Sequence, residues 1–334
     1  MANSLRFPWL QQSRQRLAAT YKRLPHGLMI SGPPRIGKSE LSLDLARLLL
    51  CQLPAPNEPC GECQGCRLID HQVHPDLHVI AAEASIDQLS PVLINHAQRY
   101  WLETKSTAPR KPSKQVGVDV VRSLGELLSA TATLGGRKVV LFPQAESLNR
   151  NAANALLKLL EEPTAETFLI LTTSAPHALP LTVRSRCSRI PCPAPSAELV
   201  ARWLTLEKGI STETAQRFAA SGIGPLELSS IISRSEGDLL EQTLRHIQKG
   251  WAEGMGDRTA FSAGIEALGA DAVLSLIQRC ILDEYRDAAE KQSEPDLQAR
   301  TVSRFYAFGR ARVGLGRSLD PQLSLEDILV NFTD

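Results

Sequence analysis

The sequence predicts a mainly parallel α/β domain followed by an all-helical second half. Short apolar runs alternate with helical patterns through the first part of the chain, an order typical of a parallel sheet covered by helices. A glycine-rich loop joins the first of these runs to a helix. Beyond the linker Cys192-Pro193-Ala194-Pro195 the strand patterns stop, so we expect helices there.

Each predicted element rests on an apolar pattern or on a residue that ends it. The run 27–31 is apolar and short, as a buried strand is. One face of the next helix carries four leucines at helical spacing, Leu41, Leu45, Leu48 and Leu49. Asn149 is a cap residue, and Pro163 bars continuation of the helix that it begins. The other predicted strands are 77–80, 138–142 and 168–171, and the predicted helices are 11–25, 118–134 and 149–160.

Composition excludes several classes of protein. The 334 residues carry 37 basic and 36 acidic side chains, a formal net charge of +1, and 43% are hydrophobic. This mix is typical of a globular protein and excludes a uniformly basic surface for nucleic acid. No apolar run reaches the roughly 18 residues of a membrane span, and residues 1–10 do not resemble a secretory signal. We therefore expect a cytoplasmic protein.

Three domains are predicted. Residues 1–193 form the α/β domain, 194–235 a small helical domain and 236–334 a larger helical domain. Residues 83–116 fit no single pattern, and their second half, 104–115, is polar with two prolines and several basic residues. We expect this second half to be an exposed insertion.

Residues 32–39 read GPPRIGKS and satisfy the phosphate-loop pattern G-x-x-x-x-G-K-[ST]. Glycines let successive backbone N–H groups point at phosphate oxygens, and the start of the following helix adds a positive field. Lys38 would meet the β and γ phosphates, and the Ser39 hydroxyl would ligate Mg²⁺. The candidate residues for ATP or ADP with Mg²⁺ are therefore Gly32, Gly37, Lys38 and Ser39. The alternative is a chance match in a Gly/Pro-rich turn, against which the flanking strand and helix argue.

Hydrolysis of a bound nucleotide would need acidic residues at the end of a second strand, to hold Mg²⁺ and polarise water. The strand 138–142 is followed instead by Pro143 and Gln144, which can do neither. Glu146 comes two positions too late, and we interpret it as a solvated surface glutamate. The chain is therefore not expected to hydrolyse ATP alone, while nucleotide binding stays open.

Four of the seven cysteines form the cluster Cys51-x8-Cys60-x2-Cys63-x2-Cys66. Four thiolates are the set that tetrahedral structural zinc prefers, and they leave no open position for catalysis. We predict a structural Zn²⁺ site, with thiol exchange as the alternative. The other three cysteines are interpreted as small buried apolar residues: Cys187, Cys192 and Cys280.

Taken together, these motifs resemble bacterial clamp-loader subunits of the DNA polymerase III holoenzyme, over nearly the whole chain. The stretches that carry the resemblance are the phosphate loop, the four-cysteine cluster, His74-Pro75-Asp76, residues 151–163 (NAANALLKLLEEP), Ser185-Arg186-Cys187 and residues 319–326. The resemblance implies an AAA+ P-loop domain with an inserted zinc module, a small helical lid domain and an all-α collar domain. The collar would assemble a hetero-oligomeric ring.

Within this family the chain is similar to the stator type rather than to the motors. The gamma and tau type motors keep Asp-Glu where this chain has Pro143-Gln144, and they carry a nucleotide-sensing arginine that residues 221–226 lack. One feature departs from the stator pattern, because the phosphate loop is intact where stators often have a degenerate one.

The resemblance also assigns a role to Arg186, which on spacing alone is more simply a surface arginine. In this family the Ser-Arg-Cys arginine enters the ATP site of the adjacent motor subunit as an arginine finger. The implied partners are gamma/tau type motor subunits, a delta subunit and, through the assembly, the sliding clamp and primed DNA, with no membrane.

Three other functions stay open. An active AAA+ motor would need hydrolysis by the chain alone, with Glu146 as a displaced base. A zinc-dependent nucleic-acid-binding module would need basic and aromatic residues around the cysteines, where only Arg67 stands nearby. A free-standing nucleotide kinase would need an acceptor site, which nothing after the phosphate loop supports.

Overall fold

The structure is a computed structural model that describes residues 7–55, 58–101, 111–134, 136–234, 236–253 and 268–290. It divides into two compact units, Met1–Ala194 and Pro195–Asp334. The predicted domain boundaries at residues 193 and 235 stay predictions. No helix within the described ranges is both long and apolar enough to cross a membrane.

The described residues of the first unit form five strands, all paired in parallel, in the order β2-β3-β4-β1-β5. The predicted parallel α/β sheet is therefore confirmed. The strands are β1 (Gly27–Ser31), β2 (Leu77–Val79), β3 (Lys138–Phe142), β4 (Thr167–Thr173) and β5 (Ser188–Pro191). Because all strands point the same way, their carboxyl ends form one edge of the sheet and their amino ends the other. We call these the carboxyl edge and the amino edge.

The helices of the first unit cover the sheet. They are α1 (Gln11–Thr20), α2 (Lys38–Leu50), α3 (Gln64–Asp70), α4 (Pro91–Gln98), α5 (Val118–Ser129), α6 (Arg150–Glu161) and α7 (Leu181–Arg184). All four predicted leucines of α2 are buried, which confirms its apolar face. The helices α5 and α6 pack with β3 and β4 into one buried apolar cluster. The Asn149 side chain accepts a hydrogen bond from the Ala152 N–H at 2.8 Å, so the predicted cap of α6 is confirmed.

Several predicted boundaries needed correction. The helix predicted over 118–134 ends at Ser129, because the buried Lys138 ammonium binds the carbonyl oxygens of Leu128 and Ala130 at its end. The helix predicted over 11–25 gives way at Tyr21 to a short 3₁₀ turn. Strand β5 was not predicted, since it is a largely exposed edge strand with little apolar pattern.

Residues 83–116 are ordered where the structure describes them. They begin with a 3₁₀ turn, Glu83–Gln88, and continue into α4, which buries Leu93 and Ala97. The Ser113 N–H donates to the Glu83 carboxylate at 3.0 Å, so the return of this segment is tied to its start. Of the predicted insertion 104–115, residues 104–110 lie outside the described part.

The second unit is helical wherever it is described. Its helices are α8 (Ala197–Lys208), α9 (Thr212–Ala220), α10 (Pro225–Ser233), α11 (Gly237–Glu253) and α12 (Ala270–Glu290). The predicted apolar face of α12 is buried at Val273, Leu276 and Ile277, whereas Cys280 is only half-buried, which corrects its predicted burial. Residues 254–267 and 291–334, which are more than half of the predicted collar 236–334, lie outside the described part, and the collar stays a prediction.

Candidate functional site

The phosphate-loop residues lie at the carboxyl edge, between the end of β1 and the start of α2. A side chain at Gly32 would place its Cβ 2.0 Å from the Cys192 carbonyl oxygen, so only glycine fits there. Gly37 has a φ of +91° directly before α2, a conformation that glycine adopts without strain. The two glycines of the sequence pattern are thus both demanded by the geometry.

Lys38 is buried and turned back onto the loop that precedes it. Its ammonium group donates to the carbonyl oxygens of Gly32 at 3.0 Å and Pro33 at 2.5 Å, and to the Ser174 hydroxyl at 2.9 Å. Burial lowers the pKa of Lys38 to about 8, although the nearby Glu146 carboxylate opposes the shift. The lysine therefore joins the end of β1 to the end of β4 within its own chain.

Glu146 belongs to the same corner of the sheet, which corrects the interpretation of a solvated surface glutamate. One carboxylate oxygen accepts a hydrogen bond from the Ser174 N–H at 3.0 Å. The other is buried, and no partner for it is found in the described ranges. A 3₁₀ turn, Ala145–Ser147, follows β3 and lets this residue reach the edge although it comes late in the sequence.

The N-terminal segment also contacts the phosphate loop, which the sequence did not reveal. The Trp9 indole N–H donates to the Ile36 carbonyl at 2.7 Å. The side chains of Leu10 and Phe7 lie 3.0 and 3.8 Å from where a Cβ on Gly37 would be. These contacts span about thirty residues of chain, so no local pattern could have predicted them.

The four clustered cysteines meet at the end of α2. Their sulfur atoms all lie within 4.8 Å of one another. The Sγ–Sγ distances from Cys51 to Cys60 and to Cys63 are 3.5 and 3.9 Å, and Cys60 to Cys66 is 4.0 Å. Four sulfurs about 2.3 Å from a tetrahedral zinc ion lie about 3.8 Å apart. The donor set and its spacing therefore fit Zn²⁺.

Backbone geometry holds these sulfurs in place. The N–H groups of Cys60, Cys63 and Cys66 donate to the sulfurs of Cys51, Cys60 and Cys63 in turn, at 3.3 to 3.4 Å. Burial raises the pKa of the Cys51 and Cys66 thiols. In Cys63, hydrogen bonds from backbone N–H groups and neighbouring thiols outweigh burial and lower the pKa to about 6. A Cβ on Gly65, in the first turn of α3, would lie 2.6 Å from the Leu50 carbonyl oxygen, so this close approach to the end of α2 requires glycine.

The His74-Pro75-Asp76 stretch builds structure rather than a reactive site. The Asp76 carboxylate accepts hydrogen bonds from the Thr133 and Leu134 N–H groups at 2.8 and 3.1 Å. The His74 ring accepts from the Asp76 N–H at 3.1 Å. Burial lowers the pKa of His74, so this ring is neutral. The motif fixes the loop between α5 and β3.

Arg186 lies at the amino edge, on the far side of the sheet from the phosphate loop. A Cβ on Gly27, the first residue of β1, would lie 3.0 Å from the Arg186 carbonyl oxygen. The phosphate loop follows the other end of this five-residue strand, about 13 Å away along a parallel strand. The structure thus keeps Arg186 apart from Lys38.

The Arg186 side chain is 37% exposed and contacts two groups of its own unit. One terminal nitrogen donates to the Thr182 carbonyl at 2.9 Å. The other forms an ion pair with Glu161, the last residue of α6. Nearby, Leu181 is 67% exposed at the start of α7. The partner Glu161 was not predicted, because the two residues are far apart in sequence.

The chain is similar to known subunits of DNA polymerase III. A family model described as "DNA polymerase III, delta subunit" matches residues 11–195. A protein from Pseudomonas aeruginosa named "DNA polymerase III subunit delta'" is 34% identical over 73% of this chain and 66% of its own length. Relatives with the same name are 36% identical in Escherichia coli, over 65% of this chain and 59% of theirs, and 31% identical in Yersinia pestis, over 85% and 72%. The match therefore spans less than two thirds of the first two relatives.

Proposed function

The chain belongs to the DNA polymerase III delta-subunit family, with proteins named delta' among its relatives, and we propose that it is the stator subunit of a replicative clamp loader. In this role it donates Arg186 to the ATP site of a neighbouring gamma/tau type motor subunit. The assembled ring, with a delta subunit, opens the sliding clamp and loads it on primed DNA. In this role it acts in the bacterial cytoplasm, where the chromosome is replicated.

The observation that carries the proposal is the position of Arg186. An arginine that stabilises phosphoryl transfer must touch the transferred phosphate. Arg186 lies at the opposite edge of the sheet from the phosphate loop of its own chain, so the phosphate it serves belongs to another subunit. Its partial exposure and the exposed Leu181 beside it support a subunit contact at this edge.

We further propose that the chain itself does not hydrolyse ATP. Strand β3 ends in Phe142, and the next two residues, Pro143 and Gln144, offer no carboxylate. Gly32, Gly37, Lys38 and Ser39 would hold the phosphates of ATP or ADP if the Lys38 ammonium left the carbonyl oxygens it now binds. A nucleotide held there would have a structural or signalling role.

The cysteine cluster is proposed to hold a structural Zn²⁺. Cys51 follows the last residue of α2, and Cys63 precedes the first residue of α3. A metal bound by all four thiolates would join these two helix ends and close the loop between them. The Arg47–Asp70 ion pair at 2.5 Å joins the same two helices. Cys51, Cys60, Cys63 and Cys66 would thus stabilise the unit rather than take part in chemistry.

The test is ATP turnover by the loader reconstituted from purified subunits, with clamp and primed DNA. Arg186→Ala should lower turnover while the ring stays assembled in size-exclusion chromatography. Arg189→Ala is the matched control, since Arg189 is an exposed arginine of β5 whose side chain makes no hydrogen bond or ion pair within the described part of the chain. Equal turnover by both variants and the unmodified loader would refute the proposed role of Arg186.

A second candidate function, an active ATPase motor, is favoured by one observation. Glu146 brings a carboxylate with a buried, unpartnered oxygen to the phosphate-loop corner, where a base for hydrolysis would be needed. ATP turnover by the chain alone, lost in Glu146→Gln, would support the motor. We expect no turnover by the isolated chain.

A further inference from the structure

Arg186 is held at the amino edge by an acidic residue to which no role has been assigned above. The Glu161 carboxylate forms an ion pair with one terminal nitrogen of the Arg186 guanidinium. The other terminal nitrogen donates to the Thr182 carbonyl at 2.9 Å. Both ends of the guanidinium fork are therefore turned towards their own chain.

A guanidinium grips a phosphate best through two parallel N–H···O bonds. The nitrogens that would make such bonds are the ones that Glu161 and Thr182 occupy. A carboxylate also neutralises the charge that attracts the phosphate. A neighbouring phosphate must therefore compete with Glu161 for Arg186.

The stability of α6 does not explain an acidic residue at this position. Glu161 is the last residue of the helix, where the negative end of the helix dipole disfavours acidic side chains. The carboxylate and the helix end together make this a favourable place for a cation. Arg186 supplies that cation from a different segment of the chain.

We propose that Glu161 is a positioning residue that holds the Arg186 side chain against its own chain when Arg186 binds no phosphate of a neighbouring subunit. This inference rests on the proposed function of Arg186. The two side chains are 37% and 48% exposed, so the pair is a surface pair. Pairs of this kind shift an equilibrium by no more than about five-fold. Glu161 thus restrains the arginine weakly enough for a phosphate to displace it.

The experiment measures ATP turnover of the reconstituted loader in the absence of clamp and DNA. Glu161→Gln keeps the size of the side chain and removes its charge, and it should raise this idle turnover about two- to five-fold. Glu161→Lys repels Arg186 and should raise it at least as much. Glu162→Gln is the matched control: it changes the adjacent exposed glutamate, for which no side-chain partner is found in the described ranges, and should leave idle turnover unchanged.

Two further measurements distinguish restraint of Arg186 by Glu161 from a merely structural effect. The ratio of Glu161→Gln to unmodified turnover should fall towards one as salt rises, because salt screens the pair. In the Arg186→Ala background, Glu161→Gln should produce no increase, as expected for two residues that act through one contact. A melting temperature within a few degrees of the unmodified chain would show that each variant folds.

The two hypotheses fail in different ways. If Arg186→Ala leaves turnover unchanged in the complete loader, the proposed function fails. If Arg186→Ala lowers turnover but the idle turnover of Glu161→Gln equals that of Glu162→Gln, or falls, Glu161 does not restrain Arg186, while the proposed function of Arg186 stands.

Discussion

Lys38 lies at the carboxyl edge of the sheet and Arg186 at the amino edge, and these two basic side chains are held in opposite ways. Lys38 is buried and bound by three uncharged oxygens, two of them from the loop it closes. Arg186 is half-exposed and bound by a carboxylate at the surface. The ammonium group at the carboxyl edge is therefore bound within its own chain, whereas the guanidinium at the amino edge can bind a group on another molecule. In the proposed function, the chain retains its phosphate loop at one edge of the sheet while Arg186 acts at the other edge.

Metal removal should produce the largest effect, at the end of α2 opposite to the phosphate loop. The cysteine cluster lies between the last residue of α2 and the first residues of α3, so loss of the metal should loosen the contact between these two helices. Cys60→Ser, or treatment with a strong chelator, should lower the free energy of unfolding by about 5 kcal/mol or more. Calorimetry measures this loss, and elemental analysis should find zinc in the unmodified chain. Cys192→Ser is the control, and an equal loss in it would contradict a metal-specific effect.

The next largest contrast compares the two basic residues directly. Arg186→Ala should reduce turnover at the one ATP site it serves by about 10³-fold or more, because an arginine finger contributes that much. Lys38→Ala should change turnover of the same loader less than about two-fold, because in the proposed function the chain's own loop does not hydrolyse ATP. Single-turnover ATPase assays on matched reconstitutions distinguish the two. A large loss in Lys38→Ala would show that both edges act in catalysis.

A smaller effect should come from the apolar surface beside the arginine. Leu181 is 67% exposed at the start of α7, and a charge there would be buried without a partner once a subunit covers it. Leu181→Asp should weaken assembly with the motor subunits about ten-fold, as measured by analytical ultracentrifugation. Leu206→Asp is the control, because Leu206 is 82% exposed on the second unit. Equal weakening by both would place the contact elsewhere.

The smallest effect concerns pH at the carboxyl edge. Burial lowers the pKa of Lys38 to about 8 and Glu146 partly opposes this, so the folded chain loses the lysine charge as pH rises through 8. Any affinity for ATP at the loop should therefore fall between pH 7 and 9, whereas an exposed lysine would hold it to about pH 10. Glu146→Gln should move this midpoint slightly lower. Fluorescence titration with a labelled nucleotide follows the change, and a midpoint above pH 10 would contradict it.

The lowered pKa of Lys38 also makes the stability of the folded chain depend on pH. The pKa of Lys38 is lower in the folded chain than in the unfolded one, so the unfolded chain binds more protons between pH 8 and 10.5. Lys38 therefore contributes an increase in stability as pH rises across that window. The increase should be absent in Lys38→Met when urea unfolding is compared at both ends of the window.

Much of the fold could be predicted because its signals are local. The leucines of α2, the Asn149 cap and the apolar runs of β1, β3 and β4 are patterns within a few residues. The cysteine cluster could be predicted for the same reason, since its ligands are close together in the chain. Strand β5 was missed because an exposed edge strand needs no apolar run.

The contacts that define the candidate sites could not be predicted, because they join distant parts of the chain. Lys38 and the Ser174 hydroxyl are 136 residues apart in sequence. The position of Glu146 depends on the turn that follows β3, and the partner of Arg186 depends on how α6 ends. Patterns in the sequence indicated which side chains were present, but only the packing decides which of them meet.

The close approach of Gly27 to the Arg186 carbonyl limits where the proposed arginine finger can be placed. With 3.0 Å between that oxygen and a Cβ at residue 27, the backbone under the arginine rests on the central sheet and has little room to move. Only the side chain is free to travel, so its length fixes how near a neighbouring phosphate must come. Gly27→Ala would displace the backbone at Arg186 without changing the length of the arginine side chain. If Arg186 serves a neighbouring subunit as proposed, that subunit's phosphate must therefore come within the reach of one arginine side chain.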